Sequence, residues 1–379
     1  MTVKGQDDTV PQDDTVPRDD TVPRDDTVPT VLAAPDAFKG TGTAAQIAAG
    51  IEVGATKAGW RADLCPVSDG GEGFLDVLGL LGGELRSSRV TGPLGEPVDA
   101  QWRLAGDLAV VESARASGLV LAGGAVRNDP VRATSRGTGE LIAAAVAAGA
   151  SRIIVGVGGS AMTDGGEGAL EALDQSGGIG ESEVLVACDV TVGFLDAARI
   201  FGPQKGADSA QVELLSERLV GLLGAYLRRG CDLSVMPGSG AAGGLAGGLV
   251  VAGARIVSGF DLVAELVDLD KRIGAASLVI TGEGRLDSTS WVGKVVGGVV
   301  LRAEVLRTEV VVLAGQVSED ALAAGDQSGD QRSANGPGPI AEVVDMSVLF
   351  GPERSYADAS GCAALVAESV LRKRRPMPE

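Results

Sequence analysis

Three short segments combine glycine with charged side chains in a way suited to holding an anion. Pro35-Asp36-Ala37-Phe38-Lys39-Gly40 lies between an apolar run at 31–34 and a helical pattern. At such a turn, backbone N–H groups and the helix dipole favour negative charge, and Lys39 adds a cation. Ser68-Asp69-Gly70-Gly71-Glu72-Gly73 follows a second strand-like run, and Thr281-Gly282-Glu283-Gly284-Arg285-Leu286-Asp287 follows a third. Any one of them reads equally well as a plain charged turn. Three together at the carboxyl ends of parallel strands favour a site, because that edge is where open α/β sheets bind ligands.

Other motifs carry less. With 57 glycines, the match of Gly238-Ser-Gly240-Ala-Ala-Gly243 to a dinucleotide fingerprint is a chance-level event. Gly156-Val-Gly158-Gly159-Ser160 is better placed, after a strand pattern at 152–155, but no acid clearly stands about twenty residues on at the end of the next strand, where a nicotinamide site is expected to show one. Gly293-Lys294 is followed by Val295 and lacks the upstream glycine of a Walker A loop.

Histidine is absent. Imidazole is the commonest general base and a leading metal ligand. Its absence excludes Ser-His-Asp and Cys-His hydrolases, histidine–zinc enzymes and phosphohistidine carriers, so acid–base work falls to Asp, Glu, Lys or Tyr. Cys65, Cys188, Cys231 and Cys362 form no Cys-x-x-Cys pair and read as reduced, mostly buried thiols. A net charge of −19 repels phosphate backbones and anionic lipid, and 3% aromatics offer few stacking platforms, so no nucleic-acid partner is expected. The basic run at 372–375 reads as a solvated helix end. The apolar stretches at 141–150 and 241–254 fall short of the roughly 18 to 20 residues of a membrane span, and no secretory apolar region opens the chain. A cytoplasmic monomer or homodimer is expected.

The elements that must position these residues follow from the remaining text. Four copies of Asp-Asp-Thr-Val-Pro, beginning at Asp7, Asp13, Asp19 and Asp25, bury no core and read as a disordered acidic leader over residues 1–29. Without residues 1–30 the body still carries −14. A strand at 31–34, a helix through Ala58 that Thr43 caps, and a strand at 62–67 open the body. Strand-like runs recur at 277–281, 309–313 and 342–349 with helical stretches between them, which implies a parallel sheet covered on both faces. The middle shows short alternating strands at 85–90, 98–104 and 108–113, then mixed segments. The expected fold is α/β: a Rossmann-like parallel α/β/α domain (30–67 and 276–379) interrupted by a second, mixed α/β domain (68–275), with the active site in the cleft between them. Residues 322–340 read as a surface loop.

Taken in order, the motifs resemble the bacterial type I glycerate kinases, which phosphorylate D-glycerate from ATP. The markers are Ala34-Pro-Asp-Ala-Phe-Lys-Gly40, Ser68-Asp-Gly-Gly-Glu-Gly73, Ala116-Ser-Gly-Leu119, the stretch from Asn128-Asp-Pro130 to Gly137-Thr-Gly-Glu-Leu-Ile142, and Gly156-Val-Gly-Gly-Ser160 with Asp164-Gly-Gly166. Ala187-Cys-Asp-Val190, Phe201-Gly-Pro-Gln-Lys-Gly206, Gly240-Ala-Ala-Gly-Gly244 and Thr281–Asp287 with Gly293-Lys294 complete the series. The chain departs from the family pattern in three places: a shorter Gly-rich link between Leu173 and Val184, no Asn-Pro-Leu in 189–201, and Ser288-Thr289-Ser290 where Gln is usual at the second position.

The resemblance implies ATP and Mg²⁺ as cofactors and phosphoryl transfer, which needs cations on the phosphates, in-line geometry and a carboxylate at the acceptor hydroxyl. On that basis Lys39, Lys205 and Lys294 neutralise phosphate or the glycerate carboxylate. Asp36, Asp69 and Glu283 hold Mg²⁺ or orient the acceptor. Asp189, ending a strand pattern at 183–188, is the leading general base, with Asp36, Lys39 and Lys294 beside it in the catalytic set. Gly70, Gly71, Glu72, Gly158, Gly159, Ser160, Arg285 and Asp287 are expected around substrate and phosphate, although the glycine loops at 156–166 and 238–244 read equally as close packing. A non-catalytic homologue that binds glycerate or nucleotide, and a nicotinamide-dependent oxidoreductase, are the alternatives.

Overall fold

The computed structural model describes residues 28–321 and 339–374. The repeat leader lies outside the described residues except at its last two positions, and so does nearly all of the expected loop at 322–340.

Eleven described strands form two sheets. The first is wholly parallel and takes its strands from both ends of the chain: β1 (Thr30–Pro35), β2 (Arg61–Leu64), β9 (Leu278–Leu286), β10 (Val310–Val317) and β11 (Ile340–Asp345), in the order β11-β10-β9-β1-β2. The second comes from the middle: β3 (Glu84–Thr91), β4 (Pro97–Ala105), β5 (Leu108–Glu112), β6 (Arg152–Gly156), β7 (Glu183–Ala187) and β8 (Arg255–Val257), in sequence order. Its first three strands pair antiparallel and its last four parallel. This is the expected α/β architecture, a parallel domain interrupted by a mixed one.

The first helix, Ala44–Ala58, begins where the sequence places it. Thr43 accepts from the Gln46 N–H while the Gln46 side chain accepts from the Thr43 N–H, a reciprocal cap that satisfies two otherwise unpaired donors. With the helix Ala359–Arg374 it covers one face of the first sheet, over Val31, Ala33, Ile280 and Val311. The opposite face does not close on a private core. Leu32, Val279 and Val312 of the first sheet share one apolar cluster with Val110, Ile154 and Leu185 of the second, and Phe74, Phe260, Ile273 and Val299 fill the space between. The helices Gly259–Leu266, Leu269–Ala275 and Val295–Leu306 are thus a layer common to both sheets. Helices Arg136–Ala147 and Leu245–Val251 cover the far face of the second sheet.

Expected strand limits are corrected at four places: β2, expected to residue 67, ends at Leu64, β10, expected to end at 313, runs to Val317, and the other two bear on the site. The strand expected at 342–349 stops at Asp345, whose carboxylate accepts from the Val348 N–H (3.1 Å) and the Ser347 hydroxyl (2.6 Å) and starts the helix Met346–Phe350. The segment 281–287, expected as a loop, is strand as far as Leu286. β10 runs beside it in register, Ala314 against Glu283 and Gln316 against Arg285, and holds it extended.

Candidate active site

The chain leaves β1 towards β2 on one side, whereas β9, β10 and β11 lie on the other, so the strand order reverses between β1 and β9. The crevice at the carboxyl ends of two such strands is where open parallel sheets take ligands. Here β1 stops at Pro35, level with Gly282, while β9 continues to Leu286 and the Asp36–Lys39 turn packs beside it at Gly284. A cavity of about 440 Å³ opens at that step and brings together Asp36, Lys39, Asp69, Glu283, Arg285, Asp287 and Lys294. A smaller one, about 260 Å³, shares Asp36, Lys39 and Thr41, and adds Glu72 and the start of the helix Ala44–Ala58.

Charge is crowded in the larger cavity. Burial pushes the Asp36 carboxyl up to about 8, the Asp69 carboxylate adds to the rise, and the Ala37 N–H (2.7 Å) and Lys39 only partly offset it. Burial also raises Glu283, against pulls from Ser290, Lys294 and Lys39, and its buried Oε1 has no hydrogen-bond partner. Asp287 is held low by the Thr289 hydroxyl, which it accepts at 2.6 Å, as well as by the Thr289 N–H at 2.9 Å. The Lys294 ammonium donates to the same Thr289 hydroxyl at 2.7 Å. The unusual Ser288-Thr289-Ser290 sequence therefore forms a turn that ties Asp287 to Lys294.

Asp69 reaches the cavity on the 68–73 loop, which the second sheet holds in place. Gly70 has φ +91°, and a Cβ there would lie 2.5 Å from the Ala187 carbonyl oxygen at the end of β7. Gly158 packs on Gly71, and its N–H donates to the Gly70 carbonyl at 3.2 Å. From the end of β5, Glu112, only 2% exposed, accepts from the Gly73 and Leu75 N–H groups at 3.3 and 3.0 Å. The N–H groups of Gly70 and Gly71 are themselves taken by Ser68 and Asp69 within the loop. At Gly70, Gly71 and Gly158 the structure thus shows close packing, with all three N–H groups engaged within the protein.

Asp189 stands behind Asp69 rather than in either cavity wall. Its two carboxyl oxygens accept from the Gly259 and Phe260 N–H groups at 2.9 and 2.8 Å, holding the start of the helix Gly259–Leu266, and burial with the Asp69 charge leaves it at about 6. Lys205 lines neither cavity. It is buried, donates to the Met162 carbonyl at 2.5 Å beside Asp164, and burial lowers it to about 7. Gly159 and Ser160 pair with the 117–119 segment, and also lie outside both cavities. Gln316, Ser347, Ser355 and Tyr356 complete the larger cavity and went unforeseen. No local motif marks them: Gln316 lies in β10 and Ser347 follows β11, and only the sheet order brings those strands to the site. Glu112 was also missed: one glutamate at a strand end carries no distinguishing pattern.

Among the described residues no group of three or more carboxylate or thiol side chains closes into a metal site. Asp36, Asp69 and Glu283 are therefore not a self-sufficient cage. They still suit a magnesium ion that arrives with phosphates, which uses one or two protein carboxylates. A cation there would relieve the repulsion between Asp36 and Asp69 and engage the orphaned Glu283 oxygen.

Comparison with known proteins gives a consistent assignment. The model of the "Glycerate kinase family" matches residues 31–178 and 176–341, the two segments meeting in the shortened Gly-rich link. Glycerate 2-kinase of Escherichia coli is 39% identical over 328 residues, 76% of this chain and 86% of the relative. A glycerate kinase of Bacillus subtilis is 38% identical over 381 residues, 90% and 99% of the respective chains. The crystal structure of a protein assigned as glycerate kinase 2 from Salmonella typhimurium LT2 superposes with a TM-score of 0.72 at 30% identity, over 92% of this chain and 98% of that one.

Proposed function

The chain belongs to the glycerate kinase family, and on that premise we propose that it transfers the terminal phosphoryl group of ATP, with Mg²⁺, to D-glycerate. The observation that carries this reading is the cavity between β1 and β9, where four acids, Asp36, Asp69, Glu283 and Asp287, stand with three cations, Lys39, Arg285 and Lys294. Phosphoryl transfer asks for that mixture, with cations for the phosphate oxygens and a carboxylate for the acceptor proton.

Lys39 and Lys294 would draw the phosphates to the rim, with Arg285 as a third positive charge. Asp69 and Glu283 would hold magnesium, whose chemistry is to neutralise charge on the transferring group. With the Asp69 charge that helps hold its carboxyl high neutralised by magnesium, Asp36 ionises and suits the proton-accepting role better than Asp189. Its oxygens meet one N–H and open on both cavities, whereas both oxygens of Asp189 are engaged by a helix terminus. The Escherichia coli relative is named for the 2-position, so the expected product is 2-phosphoglycerate. No helix among the described residues is long and apolar enough to cross a membrane; we place the protein in the cytoplasm, as a monomer or homodimer.

The test is direct. Purified protein with D-glycerate, ATP and Mg²⁺ should release ADP only when glycerate is present, and phosphorus NMR should identify 2-phosphoglycerate. ADP release that ignores glycerate, or none at all, would overturn the assignment, and a 3-phosphoglycerate signal would overturn the regiochemistry alone.

A further inference from the structure

The sheet order lays the wall of the larger cavity out as a gradient. At the β1, β2 and β9 side stand acids and cations; at the β10 and β11 side the wall is neutral, made of Gln316, Ser347, Pro352 and Tyr356. Ser347 already donates to Asp345, and the neighbouring Ser355 to the Gly315 carbonyl. Gln316 and Tyr356 instead have side chains with no hydrogen bond to any described residue. Tyr356 is 64% exposed, so its ring face is open, and only its hydroxyl tip meets the facing turn, 3.2 Å from where a Cβ on Gly40 would lie. Arg285, level with Gln316 across the β9–β10 pair, has no ion-pair partner among the described residues and stands between the two ends.

A nucleoside triphosphate has the same polarity, anionic at one end and a neutral, flat, hydrogen-bonding base at the other. We infer that Tyr356 and Gln316 form the nucleoside end of this cavity, Tyr356 as the face on which the base stacks and Gln316 as the amide that meets its edge. An aromatic face suits any base, whereas the amide supplies a donor and an acceptor for one base edge. The inference rests on the kinase reading for the phosphate end but concerns a different wall and different residues.

The experiment measures binding of Mg–ATP and of Mg–tripolyphosphate, which has the phosphates without the nucleoside, by titration calorimetry on the full chain and on Tyr356→Ala and Tyr356→Phe. Removing a stacking ring should weaken ATP about tenfold or more. Tripolyphosphate affinity should stay within about twofold, and Tyr356→Phe, which keeps the ring, should bind ATP nearly as tightly as the parent. Unchanged ATP affinity in Tyr356→Ala, or equal losses for both ligands, would overturn the inference, as would a parent chain that binds ATP no more tightly than tripolyphosphate. The expected binding pattern without glycerate-dependent ADP release would uphold the nucleoside end and remove glycerate as the acceptor.

Discussion

Asp36 and Asp189 are aspartates raised by burial and by the same neighbour, Asp69, yet their surroundings give them different work. Asn at position 36 cannot take a proton, so Asp36→Asn should lower kcat by about a hundredfold or more with the fold intact, as single-turnover kinetics and a thermal melt would record. Asp189→Asn should behave in the opposite way. Its capped helix should cost about 1 kcal/mol of stability, with a smaller loss of kcat. If Asp189→Asn alone abolishes turnover, the base belongs to Asp189. Lys205 offers a pH signature away from the cavity. Its folded value of about 7 lies below the ordinary 10.5. Below pH 7 both folded and unfolded chains hold the proton, and the full cost of the buried charge stands. Between pH 7 and 10.5 the unfolded chain binds more protons, so this contribution to stability rises with pH, by at most about 1.4 kcal/mol per unit. Denaturant midpoints should show that slope in the parent relative to Lys205→Met; a difference flat across that window would count against it.

At the scale of elements, the short link after the helix Glu167–Gln175 enters β7 at Glu183, the amino end of the strand, whereas Asp189 and the site lie past its carboxyl end. Of the three departures from the family pattern, this one therefore falls on the opposite rim. Gly177 and Gly178 both have positive φ, and a Cβ on either would meet nothing within 4 Å. Inserting four to six Gly/Ser residues there should leave kcat/KM within about twofold, because lengthening an exposed loop costs only tenths of a kcal/mol; a tenfold fall would show that the link reaches the site. The same division explains what was legible beforehand. The Thr43 cap, the βα start, Asp36, Lys39 and Glu283 are written in local pattern, since caps and strand–turn–helix junctions depend on near neighbours. The extension of β9 depends on β10 beside it, the burial of Lys205 on Met162 and Asp164, and the placing of Tyr356 on strand order. Those are long-range facts, and they supply the neutral half of the cavity.

For the whole molecule, the layer between the sheets decides how independent the two domains can be. We propose the division into 30–67 with 276–379 and an inserted 68–275, but Phe74, Val110, Ile154, Leu185 and Phe260 of the inserted part bury against Leu32, Val279 and Val312 of the other. Arg272 Nη1 also meets Asp63 Oδ1 at 2.6 Å across it. A contact that is apolar and continuous couples folding, where small polar interfaces leave domains free. Calorimetry should therefore give one unfolding transition with matching calorimetric and van't Hoff enthalpies, and residues 68–275 expressed alone should not unfold cooperatively. Two resolved transitions would show separable domains. The same layer opposes hinge closure, since swinging one sheet away would strip water-free contacts from both. Exclusion of water around the transferring phosphate then falls to local pieces of the rim, the helix Pro352–Ala357 that carries Tyr356 and the Asp287–Lys294 turn. Small-angle scattering should accordingly record the same radius of gyration with and without ATP and glycerate, while amide exchange slows in those two segments; a measurable contraction would show that the sheets do swing together.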